Sequence, residues 1–562
     1  MRNPIRRGTS LILAAILVSV FALRLLDAAQ RNTLTIDEPH YIGVGLYLWE
    51  SGDYHFYETL GFHPPMAHHL AALPLLGLDL GKRPINRSIG ADLLAGPYPD
   101  PKVVRWLSRT PFVAIACWGA ILIFLWASEA AGLWAGLLAL SLYTLSPTIL
   151  AHASLAHTDI TVTVLMLQTF YTFWRWWNRP GPLRFALCGA SLGLALLAKL
   201  TGLVLLPLLG LFLLALEYGI PPLGDGFRRP GERKLFRNFL LPGLRASALL
   251  AGLIVMAGAV VWVGYGFSFA LVEGIEGPYA GVPLPSFLHS LLFDVAANTR
   301  GRAIYFFGEI ASDGRFWYLL PVAWAMKTPL PVLILLAYAL WPQRNPDSRG
   351  DTEQAGGQLP QPRAGAGVIF MVGIAVAVFL AIVTVWVRVP LGLRYLLPII
   401  PLLALFMATR LSARTGARRW AVVAAVVWLG LVGAWVHPHY LSYFNVLAGG
   451  PAGGHRFLVD SNFDWGQDLG ALAEEVAARG SPPIWLGYFG PERPELYGLN
   501  AKPLPSCRPV KGMVAISATL LRGLYSVDNP FVAAPKGCYD WLLAREPVAQ
   551  PGYSILLYEI SE

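Results

Sequence analysis

The chain has 562 residues, of which 55% are hydrophobic and 14% charged, with a net charge of +9. Soluble globular proteins carry about 25% charged residues, so this composition excludes an ordinary soluble domain and predicts an α-helical polytopic membrane protein. The surplus of Lys and Arg is then expected in cytoplasmic loops rather than at a nucleic-acid interface. We therefore expect membrane lipids, and no nucleic acid, as partners.

The first predicted helix follows the basic start MRNPIRRGTS and covers LILAAILVSVFALRLL, residues 11–26. No small-residue cleavage site stands out, so we expect this helix to be retained. Stretches of about 20 apolar residues predict further transmembrane helices. These lie near 111–128, 132–151, 160–177, 183–199, 202–217, 244–267, 317–341, 367–389, 395–410 and 420–437. The total is about eleven.

The distribution of basic residues predicts the orientation of these helices. RWWNRPGPLR (175–184), FRRPGERKLFRNF (227–239) and RLSARTGARR (410–419) all lie on the cytoplasmic side if the N-terminus is inside. An odd number of helices then places the region from His437 onward outside. We predict a catalytic transmembrane domain at 1–437 and an extracytoplasmic domain at 438–562.

The two outer regions are not simple linkers. EPHYIGVGLYLWESG and PPMAHHLAALPLLG in the first outer loop mix aromatic and apolar residues at helical spacing, which predicts interfacial helices. The C-terminal region combines strand-like segments with a helical DWGQDLGALAEEVAARG, which predicts a small α/β domain. Cys507 and Cys538 both lie there, and a disulfide between them is plausible only outside the cytoplasm.

Charged and polar residues cluster at the predicted outer side. The acids are Asp37, Glu38, Asp159, Glu309 and Asp313, and the basic residues are Lys199, Arg300, Arg302 and Arg394, with His63, His68, His69 and His157 on the same side. Ion-coupled transporters usually keep acids near the middle of the bilayer. A polar set at one face favours a catalytic site, and it disfavours a transporter or flippase without excluding one. A non-catalytic scaffold is a third hypothesis.

Each of these residues also has a structural interpretation. Asp37 and Asp159 each precede a predicted helix and could act as N-caps, and so could Asp464 in DSNFDWGQD. Lys199 could extend from a helix end to the interface, and Arg394 could contact lipid headgroups. The joint placement of these residues on one face, rather than any single position, supports catalysis.

Several segments together resemble a known family. DEPHYIGVGLYLWESGDY and FHPPMAHHLAALPLL are followed in order by AHTD, LLAKLTGLVLLPL, FWYLLPVAWAMKTPLP and RYLLPIIPLL. This order resembles the protein mannosyltransferase-like glycosyltransferases that use polyprenyl-phosphate sugars, a group that includes aminoarabinose transferases. The segment DSNFDWGQDL resembles the C-terminal part of many bacterial members.

The resemblance implies a GT-C fold and an inverting glycosyl transfer at the outer face of the cytoplasmic membrane. A sugar would pass from a polyprenyl-phosphate carrier to a glycolipid, polysaccharide or protein. Asp37 would be the general base, and Glu38 and Asp159 would support it or contact the acceptor. His63 matches the His of the family's His-Pro-Pro pattern, although aminoarabinose transferases have Lys there.

The chemistry of this transfer needs one base and several cations. A polyprenyl phosphate leaves as a stable anion, so the second carboxyl of glycoside hydrolases is not required. We predict that the carrier phosphate is bound by His63, Lys199, Arg394 and Arg300, and that His157, His40 and Tyr395 contact the acceptor or support the site. We expect no required cofactor; a divalent metal at Asp37, His40, His157 and Asp159 is the weaker alternative.

Overall fold

This computed structural model describes residues 4–54, 63–78, 100–220, 235–271, 283–300, 302–312, 316–342, 364–386, 392–528 and 533–561. Helices dominate the first 435 residues. They are α1 (Pro4–Arg31), α2 (Glu38–Ser51), α3 (Met66–Ala72), α4 (Pro101–Ala131), α5 (Leu133–Thr144), α6 (Pro147–Ala153), α7 (Thr158–Asn178), α8 (Pro182–Ala198), α9 (Leu205–Glu217), α10 (Leu235–Gly264), α11 (Ser286–Arg300), α12 (Leu319–Lys327), α13 (Leu330–Leu340), α14 (Ala364–Trp386), α15 (Ile399–Leu411) and α16 (Gly416–Trp435).

Every predicted apolar segment overlaps at least one of these helices, and the protein is a multi-pass membrane protein. Within the described residues, six helices are long and apolar enough to cross a bilayer, or eight if two bent pairs each count as one span. The bent pairs are α5 with α6, at 63°, and α12 with α13, at 111°. The predicted number of about eleven exceeds this because α8 and α15 are shorter and α7 carries more polar residues.

The first outer loop forms helices, as predicted, but they pack against protein. Most of α2 is buried, and it crosses α3 so closely that a Cβ at Gly45 would overlap the carbonyl group of His68. Gly52 ends α2 in the left-handed conformation, at φ 64°, which Gly adopts without a steric penalty. The predicted interfacial position of these helices relative to a bilayer stays a prediction.

Two short antiparallel hairpins lie before α12. They are β1 (Phe269–Leu271) with β2 (Pro283–Pro285), and β3 (Ile304–Phe306) with β4 (Glu309–Ala311).

The C-terminal region is a small α/β unit, as predicted. It contains α17 (Gly450–Gly453), α18 (Leu469–Ala478), β5 (Ile484–Gly487), β6 (Ala501–Pro503), β7 (Gly512–Ser517), α19 (Ala518–Leu521), α20 (Asp540–Leu543) and β8 (Ile555–Ile560). The strand order is β6-β5-β7-β8, with β8 antiparallel to β7 and the other pairs parallel. Leu472 and Val476 of α18 pack against this sheet in a separate small core, where burial of each such side chain contributes about 1.5–3 kcal/mol.

The α/β unit lies against the helical region through residues 440–468. Asn445 donates from its side chain to the carbonyl oxygens of Ala325 and Thr328, at 2.7 and 3.0 Å, where α12 meets α13. The division of the chain at residues 437 and 438 stays a prediction, because this contact joins the two parts closely.

Candidate active site

Asp37 lies between α1 and α2 with an accessible side chain. It is the N-cap residue of α2, but its carboxylate accepts no capping hydrogen bond from that helix. The side chain is 41% exposed. Asp37 therefore occupies the N-cap position without making the capping hydrogen bond, and its carboxylate remains available for other partners.

The C-terminal region holds the segment that precedes Asp37. The backbone N–H of Ile36 donates to the carbonyl of Trp465 at 3.0 Å, and that of Thr33 donates to Gln467 at 2.9 Å. The Thr33 hydroxyl also donates to the carbonyl of Gly466 at 2.7 Å. Two segments more than 400 residues apart in sequence thus pair at the site, which is why sequence analysis did not find this contact.

Two cationic or imidazole groups face the Asp37 carboxylate. Arg394 Nη1 lies 3.8 Å from Oδ2, and His157 Nε2 lies 3.7 Å from the same oxygen. Partial burial by itself would raise the pKa of Asp37, but the contact with His157 and the charges of Arg394 and Arg302 outweigh it, and the pKa is lowered. Asp37 is consequently ionised at physiological pH.

Asp159 and Lys199 form a buried ion pair beside these groups. Lys199 Nζ lies 2.6 Å from Asp159 Oδ1, and His157 Nδ1 lies 2.8 Å from Asp159 Oδ2. The ammonium group also lies 5.1 Å from the ring centre of Tyr395. The predicted role of Lys199 in phosphate binding is not favoured by this geometry, because Asp159 already neutralises its charge. The two oxygens of Asp159 contact Lys199 and His157, which favours a supporting role over contact with an acceptor.

Glu38 is completely enclosed. Its carboxylate accepts hydrogen bonds from Arg109 Nε at 2.8 Å, Arg109 Nη2 at 2.6 Å, and the backbone N–H groups of Thr35 at 2.7 Å and Ala156 at 2.8 Å. The side chain has no exposed surface. Of the two roles predicted for Glu38, the geometry favours support of the Asp37 loop over contact with an acceptor. No local sequence pattern links Arg109 to Glu38, so this partner follows only from the packing of α4 on the Asp37 loop.

Two of the predicted histidines, His40 and His63, lie beside the site and have lowered pKa values. His63 stacks on the ring of Tyr41, with ring centres 6.4 Å apart. Burial, followed by the charges of Lys199 and His157, lowers the pKa of His63 well below its usual range, so it is a neutral group rather than a cation for phosphate. Burial also lowers the pKa of His40.

The remaining basic residues are Arg300 and Arg302. The Arg300 side chain lies outside the described residues. Arg302 is exposed, donates to the Tyr525 hydroxyl at 2.9 Å, and contributes to the lowered pKa of Asp37. Tyr525 in turn donates to Asp460 at 3.2 Å.

The DSNFDWGQD segment contributes to the site itself. The Arg394 guanidinium lies 4.9 Å from the ring centre of Trp465, and His157 packs against the same ring at 5.0 Å. The capping interpretation of Asp464 is wrong, because the N-cap residue of α18 is Asp468 and Asp464 accepts the backbone N–H of Thr519 at 2.8 Å. The aromatic and acidic residues of DSNFDWGQD are the feature of the sequence that could have indicated its place in the site.

Two further predictions concern metal binding and the disulfide. In the part of the chain that the structure describes, no group of three or more His, Cys, Asp or Glu side chains is arranged to hold a metal ion. The absence of a required cofactor stays a prediction. Cys507 and Cys538, the candidate pair, form a disulfide bond.

Comparison with known proteins gives a family match for part of the chain. Residues 14–220, less than half of the length, match the model of the dolichyl-phosphate-mannose-protein mannosyltransferase family. No curated protein matches the chain.

The chain is also similar to solved membrane-protein structures. ArnT from Cupriavidus metallidurans in the apo state has 14% identity and a TM-score of 0.45, with 98% of each chain covered. The same protein bound to undecaprenyl phosphate has 14% identity, a TM-score of 0.44 and 97% coverage of each chain. Archaeal oligosaccharyltransferase AglB from Archaeoglobus fulgidus has 12% identity and a TM-score of 0.41, with 77% of this chain and 56% of that chain covered. The resemblance predicted from the sequence is confirmed: residues 14–220 match the mannosyltransferase family.

Proposed function

We propose that this protein is an inverting glycosyltransferase that moves a sugar from a polyprenyl-phosphate carrier to an acceptor hydroxyl. The observation that carries the proposal is the Asp37 carboxylate, 41% exposed and faced by Arg394 at 3.8 Å and His157 at 3.7 Å. A base and a cation at the end of an apolar helix are what this transfer needs. The family match over residues 14–220 supports the class of donor.

Asp37 accepts the proton of the acceptor hydroxyl in this mechanism. The acceptor oxygen forms a bond to the anomeric carbon while the bond from that carbon to the phosphate oxygen breaks, and the carrier leaves as its phosphate. Because the lowered pKa makes Asp37 a weak base, the proton transfers late, once the attacking oxygen has become acidic. No general acid is required, since the leaving phosphate is a stable anion.

Arg394 is the best-placed cation for that phosphate. Its buried Nε–H has no hydrogen-bond partner among the described residues, and an unpaired buried donor is costly. A phosphate oxygen would satisfy it, and Arg binds phosphate through two parallel hydrogen bonds. Exposed Arg302 is the second candidate for binding the phosphate. Lys199 and His157 act indirectly, because Lys199 contacts Asp159 and His157 contacts both Asp159 and Asp37.

The reaction is proposed at the outer face of the cytoplasmic membrane. Asp37 follows the C-terminal end of α1, and Lys199 follows that of α8, while Asp159 lies at the start of α7. Such helix ends meet at one face when consecutive spans alternate in direction. The Cys507–Cys538 disulfide supports an oxidising location for the C-terminal region. We propose a glycolipid, polysaccharide or protein as acceptor, and no required metal.

A transfer assay in lipid nanodiscs tests the proposal. The purified chain is incubated with a panel of radiolabelled undecaprenyl-phosphate sugars and with glycolipid and peptide acceptors, and the products are hydrolysed to detect a new glycosidic bond. Asp37→Asn is expected to lower kcat by about 10²–10⁴-fold, the range for loss of a general base. Its melting temperature should stay close to that of the unchanged protein.

Asp27→Asn is the matched control. Asp27 is an acid of similar exposure, 36%, near the end of α1, and it pairs with Arg31 and His437 rather than with Arg394. It should retain transfer activity. Equal losses in the two variants, or movement of labelled carrier between leaflets with no new glycosidic bond, would contradict the proposed function.

A further inference from the structure

Lys327 is a buried ammonium group at the bend between α12 and α13. It ends α12, and α13 begins three residues later at an angle of 111°. Its Nζ donates to the carbonyl oxygens of Leu441, at 2.8 Å, and Asn462. It also lies 4.6 Å from the ring centre of Phe444. Among the described residues, this ammonium group therefore contacts main-chain carbonyls and an aromatic ring, all of them in the C-terminal region.

Asn462 connects this ammonium group to a loop of the helical region. While its carbonyl accepts from Lys327, its side-chain Oδ1 accepts the backbone N–H of Leu393 at 2.9 Å. Both ends of this residue are thus bonded to segments that precede it by more than 60 residues. Asn462 is itself almost completely buried, so these bonds are shielded from water, where hydrogen bonds are strong and geometrically demanding.

The loop that Asn462 contacts has an unusual backbone. Gly392 has φ 108°, a conformation that L side chains rarely adopt. A Cβ at this position would overlap the side chain of Asn462. The close approach of Asn462 and the positive φ of Gly392 together determine the turn from which the short 3-10 helix Leu393–Leu396 begins.

Arg394 follows directly on that turn. Its guanidinium is oriented on one side by the ring of Trp465, but its backbone is located through Leu393 and the bond to Asn462. A shift of the turn by 1 Å would change the 3.8 Å separation of Arg394 from Asp37. Displacements of this size are sufficient to change catalytic rates strongly.

We propose that Asn462 is a positioning residue for Arg394, and that Lys327 in turn holds Asn462 in place. The phosphate-binding consequence rests on the function proposed above for Arg394. In this arrangement the C-terminal DSNFDWGQD segment completes the site from outside the helical region: Trp465 orients the guanidinium, and Asn462 locates the backbone that carries it.

The test uses Asn462→Ala in the full-length protein in nanodiscs. Cryo-electron microscopy of this variant should show residues 392–394 displaced. The KM for the lipid-linked donor should rise at least tenfold, and the affinity for undecaprenyl phosphate itself should fall at least tenfold. The change in kcat should be smaller. Asn462→Ala combined with Arg394→Ala should bind undecaprenyl phosphate no more weakly than Arg394→Ala alone, because both changes remove the same contact.

Asn445→Ala is the matched control. Asn445 is another asparagine of the C-terminal region that bonds two carbonyl groups at the α12–α13 bend, but none of its recorded bonds reaches residues 392–394. It should lower the melting temperature and leave the turn and the donor KM unchanged. If Asn462→Ala does not fold, Gly392→Ala disturbs the same contact from the opposite side and should displace the turn in the same way.

The outcomes separate this inference from the proposed function. An unchanged 392–394 turn in Asn462→Ala, or an additive loss of affinity in the double variant, overturns the positioning role. A displaced turn with unchanged affinity for undecaprenyl phosphate supports positioning and instead contradicts the phosphate-binding role of Arg394.

Discussion

Asp37 and Glu38 are adjacent, but conversion of each carboxylate to its amide is expected to have different effects. The change should lower activity at Asp37 and stability at Glu38. Glu38→Gln removes the charge that faces Arg109, whose Nε and Nη2 lie 2.8 and 2.6 Å from the carboxylate oxygens. Both side chains have no exposed surface. Loss of one partner from a buried pair costs about 3–5 kcal/mol, which is about a hundredfold or more in the unfolding equilibrium.

Asp37→Asn removes the same charge one residue earlier, at a side chain that is 41% exposed. The guanidinium that faces it, Arg394, lies 3.8 Å away, beyond hydrogen-bond distance. Because the Asp37 carboxylate also reaches solvent, loss of its charge should cost less stability than loss of the Glu38 charge. We therefore expect Asp37→Asn to fold normally and lose transfer activity, and Glu38→Gln to lose stability first.

Thermal unfolding in nanodiscs, measured beside glycosyl transfer for both variants, makes this comparison. Conversion of each carboxylate to its amide keeps the side-chain volume nearly constant, so each variant serves as the control for the other. If Glu38→Gln melts with the unchanged protein while Asp37→Asn melts earlier, the assignment of a structural role to Glu38 and an accessible role to Asp37 is wrong.

Two further predictions concern the C-terminal region. Burial raises the pKa of Asp464 to about 7. The neutral carboxyl therefore stabilises the fold fully below its unfolded pKa near 4, and this stabilisation is lost as the pH rises through about 7. The loss in the free energy of unfolding is about 4 kcal/mol, at 1.36 kcal/mol per pKa unit. Asp464→Asn should therefore gain stability relative to the unchanged protein between pH 4 and 7 in parallel thermal scans, and a pH-independent difference would refute this. The bond between Cys507 and Cys538 closes a loop with a sequence separation of 31. The double variant Cys507→Ser, Cys538→Ser should therefore have a free energy of unfolding lower by about 3–4 kcal/mol, measured by denaturant unfolding with and without reductant. Equal stability of the oxidised protein and the variant would count against this prediction.

Much of the fold follows from local patterns. Each predicted apolar segment overlaps a helix because a helix that contacts lipid must be apolar over its length, and this property is visible in about 20 consecutive residues. The helix after Asp37 and the α/β pattern of the C-terminal region are equally local, since they depend on capping residues and on periodicity. The resemblance over residues 14–220 also rests on short segments in a fixed order.

The partners of the site residues do not follow from such patterns. Asp159 and Lys199 were both candidates, but their pairing at 2.6 Å, which neutralises Lys199, depends on how α7 packs on α8. Glu38 is bound by Arg109 of α4, and nothing in the adjacent Asp-Glu pair distinguishes the buried carboxylate from the exposed one.

The contribution of the C-terminal region could be seen only in three dimensions. Trp465 pairs with Ile36 beside Asp37, and Asn462 bonds Leu393 beside Arg394, although these residues are far apart in the chain. Apolar length and helical periodicity are properties of neighbouring residues, so the sequence alone specifies which segments are helices and where charge accumulates. Which charges meet depends on the packing of distant segments, where a displacement of one helical turn would exchange every partner.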